Sequence, residues 1–409
     1  MSLAAARLSM IFSCIGHFYI HMMTAFYFVI VLTLVVEWDE PYSELLQLWI
    51  IASALLGLVA IPAGRLADRW SVRGMMVLFF IGMGGASILC GLVSSKLALV
   101  FALSGIGIFG AIYHPVGIPW LIRNSGRNTG KALAINGIFG SLGNAGAGVI
   151  AGLLIEFFGW RMAFIVPGAV CLITGAAMLW FVLREQIVDG ENVESHAEDA
   201  SRGDLIKVFC LLLISLAVGG IIYQSTQAAL PRHFEISLQD LSFQFGQFSF
   251  GASSPAQLGL LVSMVYSSGA LMQYIGGILA DRFPLKAVYV VSWFLQIATL
   301  SGIAFTTGIG LIGAATLAVV VNIAMLPAEN MLIYRYSPSR HRSLVFGLKF
   351  VVTFGAGPLS VALVAWIEDF TGGLDMLFAG LALATVVVAC LLVLLPKDRP
   401  VSVGSAPAE

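Results

Sequence analysis

The segment GRLADRWSVRG, residues 64–74, decides the reading of this chain, because its opening GRLADR returns as GILADR at 277–282, 213 positions later. Two further landmarks keep nearly the same spacing. Pro115 recurs as Pro327 and Arg123 as Arg335, both 212 positions on. An offset held over half the chain is the mark of an internal duplication, and duplicated halves are a recurrent device of membrane transport folds. In both copies an apolar run ends on an aspartate beside an arginine, as where a buried helix emerges into water.

The composition around this pair is that of a membrane protein. Of 409 residues, 59% are hydrophobic and 11% charged, the mean hydropathy is +0.95 and the formal net charge is -1. A soluble domain carries about 25% charged residues, so this chain lacks the side chains to coat a water-facing surface. With 21 Lys and Arg against 22 Asp and Glu, scattered in short clusters, it has no basic stripe, which argues against nucleic-acid binding. Cys14, Cys90, Cys171, Cys210 and Cys390 lie in apolar runs without a C-x-x-C spacing, and suggest neither a disulfide framework nor a zinc site. No cofactor is indicated.

Crossing the hydrocarbon core takes about 20 apolar residues in a helix. Twelve such runs are predicted, at 8–36, 43–67, 73–93, 97–122, 131–156, 161–184, 205–230, 256–281, 286–306, 308–335, 343–369 and 373–396. The first is too long for a signal-peptide core and is expected in the mature protein. The acidic stretch 185–204 reads as a cytoplasmic linker between a six-helix bundle at 1–184 and another at 205–396, with a cytoplasmic tail at 397–409. With both termini cytoplasmic, 17 cations fall inside and three (Lys96, Arg161, Arg232) outside, with Lys349 inside a span. The expected fold is an all-α integral membrane protein, twelve transmembrane helices in two six-helix bundles related by pseudo-twofold symmetry, with a site between them near the bilayer midplane.

GRLADRWSVRG resembles the signature loop of the major facilitator superfamily, and GGILADRFPLK (276–286) resembles its degenerate second copy. The pattern departs at Ser71, where the family usually has Gly, and at Pro284. A narrower similarity lies in GHFYIH (16–21), GAIYHPVGIPWLIRN (110–124) and GSLGNAGAGVIAG (140–152), which resemble fosmidomycin-resistance-type and related drug/proton antiporters. Ala147-Gly148 stands where the antiporter signature has Gly-Pro. The resemblance implies a non-enzymatic, monomeric transporter in a bacterial inner membrane, working by alternating access. Its expected partners are a small-molecule substrate, protons and the lipid bilayer, and its expected activity is proton-coupled export of a small amphipathic or anionic compound.

Several residues are candidates for carrying that activity. His17 and His21, one turn apart, share a helix face with Thr24 and Phe28, and an imidazole in a membrane cavity binds a proton or an anion unless it only packs. His114 before Pro115 is a further cavity candidate, the alternative being a side chain that patches a kink. Glu329 and Asn330 follow Pro327 in an apolar run. A carboxylate there is costly unless neutral, paired or hydrated, so Glu329 is the candidate proton carrier and Lys349 its counter-charge or an anion anchor. A purely structural Glu329–Lys349 pair is the competing account. Arg65, Asp68, Arg69 and Arg73, with Asp281 and Arg282, form a candidate gate, in which Asp68 pairs with Arg69 or Arg73 and latches the halves. Arg123 and Arg335 either steer an anionic substrate or anchor helix ends. Asn136, Gly140, Asn144, Gly148 and Gly152 form a small-residue stripe for close helix packing, with Asn144 a possible substrate contact, and Tyr223, Gln224, Gln227, Tyr266 and Gln273 add polar groups for a cavity.

Two other functions stay open at this level: uptake of a small organic anion, and a non-transporting membrane receptor or assembly factor. The second would use segment 231–255, whose LSFQFGQFSF (241–250) alternates aromatics as a short hairpin does. Gly105 to Gly110 fits G-x-G-x-x-G but has no preceding strand, so a dinucleotide site fails on context.

Overall fold

The structure is a computed structural model that describes residues 3–126, 129–189, 202–239, 241–245, 248–337 and 342–396. Hydrocarbon offers a backbone no hydrogen-bonding partner, so apolar runs of this length close their N–H and C=O groups within themselves, as helices. The spans are α1 (Leu3–Trp38), α2 (Tyr42–Leu58 with Ala60–Arg69), α3 (Val72–Leu92), α4 (Lys96–Ser125), α5 (Thr129–Phe158) and α6 (Trp160–Leu183). In the second half they are α7 (Arg202–Ser237), α8 (Pro255–Arg282), α9 (Leu285–Phe305), α10 (Gly308–Arg335), α11 (Arg342–Gly355 with Gly357–Thr371) and α12 (Asp375–Leu392). Among the described residues, eleven helices are long and apolar enough to cross a membrane, and the two parts of α2, meeting at 41°, make a twelfth. The protein is a multi-pass membrane protein of two six-helix bundles.

The irregularities have local causes. Pro62 has no N–H to give Leu58, and α2 bends just before it; Pro358 cannot donate to Phe354, and α11 breaks at Ala356. In α4, Pro115 opens the ladder into a π-helical turn, Tyr113–Gly117, whereas α10 runs through Pro327 as one helix. Clean starts have caps: Ser71 Oγ accepts from Gly74 N at 3.1 Å and Ser95 Oγ from Ala98 N at 3.3 Å. α7 continues past Pro231 to Ser237, so Arg232 sits in a helix and not in the expected loop. Beyond it, β1 (Ser242–Phe245) pairs antiparallel with β2 (Phe248–Gly251), the hairpin the alternation predicts.

The bundles meet along α5 and α8. A Cβ on Gly148 would lie 2.4 Å from the carbonyl oxygen of Gly259, so backbone touches backbone there, and Ser263 Oγ accepts from Val149 N at 2.7 Å. On the face away from the Asp68 and Asp281 turns, residues 25–32 of α1 and 225–231 of α7 are all buried. A helix buried all round is enclosed by others, so the halves are closed on that far face. The first residues of the expected linker fold back on the first bundle: Arg73 N donates to Asp189 Oδ1 at 2.8 Å and Trp120 Nε1 to Val188 O at 2.9 Å. The rest of that linker at 190–201, the tail 397–409, and Arg127 and Arg340 lie outside the described residues.

Candidate functional site

A cavity lies between the two bundles. The first half lines it with His21, Thr24 and Phe28 of α1, Trp49 and Ser53 of α2 and His114 of α4; the second with Tyr223, Gln224 and Gln227 of α7 and Phe350 and Phe354 of α11. Among the described residues, no Asp, Glu, Lys or Arg lines it. The mixture of aromatic wall with a few polar groups is that of a site for a small organic molecule.

The π-helical turn places the first polar cluster. Tyr113, directed into the first bundle, donates from its hydroxyl to Ser13 O at 2.8 Å and accepts from Asn136 Nδ2 at 2.9 Å. Asn136 O in turn lies 2.7 Å from His17 Nδ1. A Cβ on Gly140 would meet the His17 ring at 2.7 Å, so the absence of a side chain on α5 leaves the space the imidazole fills. His17, His21 and His114 face one another with ring centroids 5.0, 5.5 and 5.6 Å apart. His114 also stacks on Phe350 at 5.0 Å and Phe354 at 4.9 Å, which reach it from the second bundle.

A second cluster spans the bundles. Asn144 Nδ2 donates to Tyr223 OH at 2.8 Å, and Asn144 Oδ1 accepts from Gln227 Nε2 at 2.8 Å. Both polar ends of this one amide are thereby engaged by α7.

Glu329 and Lys349 form a separate centre. Lys349 Nζ lies 2.8 Å from Glu329 Oε1 and donates to Asn330 Oδ1 at 2.5 Å, while Tyr289 OH donates to Glu329 Oε2 at 3.0 Å. Both charged groups are buried. Neither they nor Asn330 line the central cavity; Lys349 borders a second, smaller one between α7, α10 and α11. Lys349 therefore does not face a substrate in the central cavity, but it precedes Phe350 on the helix that covers His114.

At the Asp-containing turns, Asp68 pairs with Arg123 at 3.5 Å, not with Arg69 or Arg73 as expected, and Arg73 is held by Asp189 and Ile187 O. Arg65, Arg69, Asp281 and Arg282 are exposed, and Arg335 is half-buried. No ion pair among the described residues joins the two halves on this face. The far face has its own charges: Arg232 pairs with Glu235 at 2.7 Å and Glu368 at 2.8 Å, and lies 5.0 Å from the ring of Tyr42 in the first bundle. Sequence reasoning missed Trp49, Phe350 and Phe354 as cavity groups and Tyr113 as the partner of Asn136, because aromatic residues in apolar runs carry no sign of which face they occupy.

The family model described as Major Facilitator Superfamily matches residues 11–253 and 239–409. The multidrug efflux pump LfrA of Mycolicibacterium smegmatis is 24% identical over 331 residues, 78% of this chain and 61% of that protein. The puromycin resistance protein of Streptomyces alboniger is 29% identical over 143 residues, 34% of this chain and 28% of that one. The chain thus spans less than two thirds of the length of these relatives. Among solved structures, a bacterial homologue of the human lysosomal transporter Spinster superposes with a TM-score of 0.69 at 15% identity, covering 97% of this chain and 96% of that one. A POT family transporter bound to a thioalcohol-conjugated peptide gives 0.75 at 11% identity, with 95% of each chain covered. These structural likenesses bear on the fold.

Proposed function

Because the chain belongs to the Major Facilitator Superfamily and is therefore a membrane transporter and not an enzyme, we propose that it exports a small amphipathic compound in exchange for protons. The observation that carries this reading is the uncharged, aromatic-lined cavity shared by both bundles. Phe28, Trp49, Phe350 and Phe354 offer an apolar compound a wall, and His21, His114, Gln224 and Gln227 offer its polar end hydrogen bonds. The efflux and resistance functions named for the relatives support the outward direction. In this reading the cation-rich face of the Asp68 and Asp281 turns is cytoplasmic, the membrane is a bacterial inner membrane, and the gate residues Arg65, Asp68, Arg69, Arg73, Asp281 and Arg282 engage only when that face closes. Arg123 then serves as the partner of Asp68.

The proton is assigned to Glu329. Protonation removes the charge that holds Lys349, which frees α11 and with it Phe350 and Phe354 on His114. Coupling would run through one helix from the ion pair to the cavity. Uptake of an organic anion has less support, since no lysine or arginine among the described residues lines the cavity.

The test is substrate-dependent proton movement in proteoliposomes carrying a pH dye, with a panel of amphipathic drugs and small anions. Wild type is expected to show flux with an amphipathic drug, Trp49→Ala to lower its apparent affinity about tenfold, and Glu329→Gln to abolish proton flux while drug still binds. Unchanged flux in Glu329→Gln sinks the proton assignment; no flux with any compound sinks the exchange reading.

A further inference from the structure

His17, His21 and His114 present ring nitrogens that all lie within 4.8 Å of one another, brought together by one turn of α1 and the π-helical turn of α4. As neutral rings each has one N–H to place and one lone pair to use. His17 shows how: with Nδ1 donating to Asn136 O at 2.7 Å, its Nε2 is left as a bare lone pair. A backbone carbonyl holding one nitrogen so that the other is free to coordinate is the usual support for a metal-bound histidine. His114 is 8% exposed, yet neither of its ring nitrogens has a hydrogen-bond partner among the described residues. Buried polar atoms are rarely left so.

We infer that His17, His21 and His114 form a binding site for one divalent transition-metal cation of the zinc, cobalt or nickel class, set in the wall of the central cavity. Imidazole nitrogens suit these ions, and three histidines with an open fourth position is a known zinc arrangement. Two bonds of about 2.1 Å at a tetrahedral angle hold nitrogens about 3.4 Å apart, so ring rotations that draw the nitrogens together by about 1.4 Å complete the set. His21 and His114 line the cavity and His17 does not, so the cavity is the side from which a fourth ligand would reach the ion. The ion supplies that wall with its charge and gives His114 the partner it lacks.

The test uses the purified full chain in detergent without a polyhistidine tag, titrated with Co²⁺ alone and followed by its visible absorption, with Zn²⁺ as competitor. One ion per chain with the intense absorption of a four-coordinate ion, displaced by Zn²⁺, is expected. His114→Ala and His21→Gln should each weaken binding at least about tenfold, while His233→Ala, which removes a buried histidine elsewhere, leaves it unchanged. Gel filtration and thermal melts without metal establish that each variant is folded. Stoichiometry well below one, a weak six-coordinate spectrum, or equal loss in His233→Ala overturns the site. Because binding is read directly, failure here leaves the export reading standing.

Discussion

At the scale of single residues, the Glu329–Lys349 pair is the most exacting contact in the second bundle. A buried charge is tolerated because its partner and further hydrogen bonds replace water, here Tyr289 and Asn330. Removing one partner leaves the other charge uncompensated, so Glu329→Gln is expected to cost about 3–5 kcal/mol of stability. The double variant Glu329→Gln with Lys349→Met should recover most of that loss, as thermal unfolding in detergent would read, with no recovery of proton flux. A double variant no more stable than the single one would mean that Lys349 has another counter-charge. Both residues stand out in the sequence as ionisable groups in apolar runs, and their meeting was one of two alternatives there. That neither lines the central cavity follows from α10 and α11 facing each other away from it, which no spacing within either helix records.

At the scale of elements, the packing of α5 on α8 and the π-helical turn of α4 shape the site. Gly148→Val would push a side chain into the Gly259 carbonyl and wedge the helices apart. The expected result is a longer distance between spin labels placed at Phe157 and Met264, exposed positions on α5 and α8, after the exposed Cys210 and Cys390 are replaced. An unchanged distance would show that this contact does not hold the far face closed. The turn at Tyr113–Gly117 depends on Pro115. Pro115→Ala restores an N–H and with it a regular ladder, which would rotate His114 away from His17 and His21. That variant should stay folded but lose at least about tenfold in Co²⁺ affinity, a loss that ordinary helix stabilisation does not explain.

At the scale of the whole molecule, the halves are closed on one face, and among the described residues no ion pair joins them on the other, as one member of an alternating pair requires. Arg232 ties the closed face, reaching Glu368 of its own bundle and the ring of Tyr42 across the interface. Arg232→Ala is expected to shift the equilibrium toward opening there by about 1.4 kcal/mol, which is tenfold in population. The readout is faster labelling, from the far face, of a cysteine placed at Thr226, which is 8% exposed; an unchanged rate would assign closure to the glycine contacts instead. The amino-acid sequence by itself determined the twelve spans, the duplicated halves and the positions of the Asp-containing turns, because apolar length and local charge answer to the bilayer residue by residue. It also named the three histidines and Asn144. Only the tertiary structure decided that Asp68 meets Arg123, that His114 turns toward α1, that Phe350 and Phe354 cross from the other bundle, and that the Glu329 pair stands apart from the cavity. Those facts depend on which face of each helix turns inward, and in a chain apolar on nearly every face, only packing against the neighbouring helices sets that.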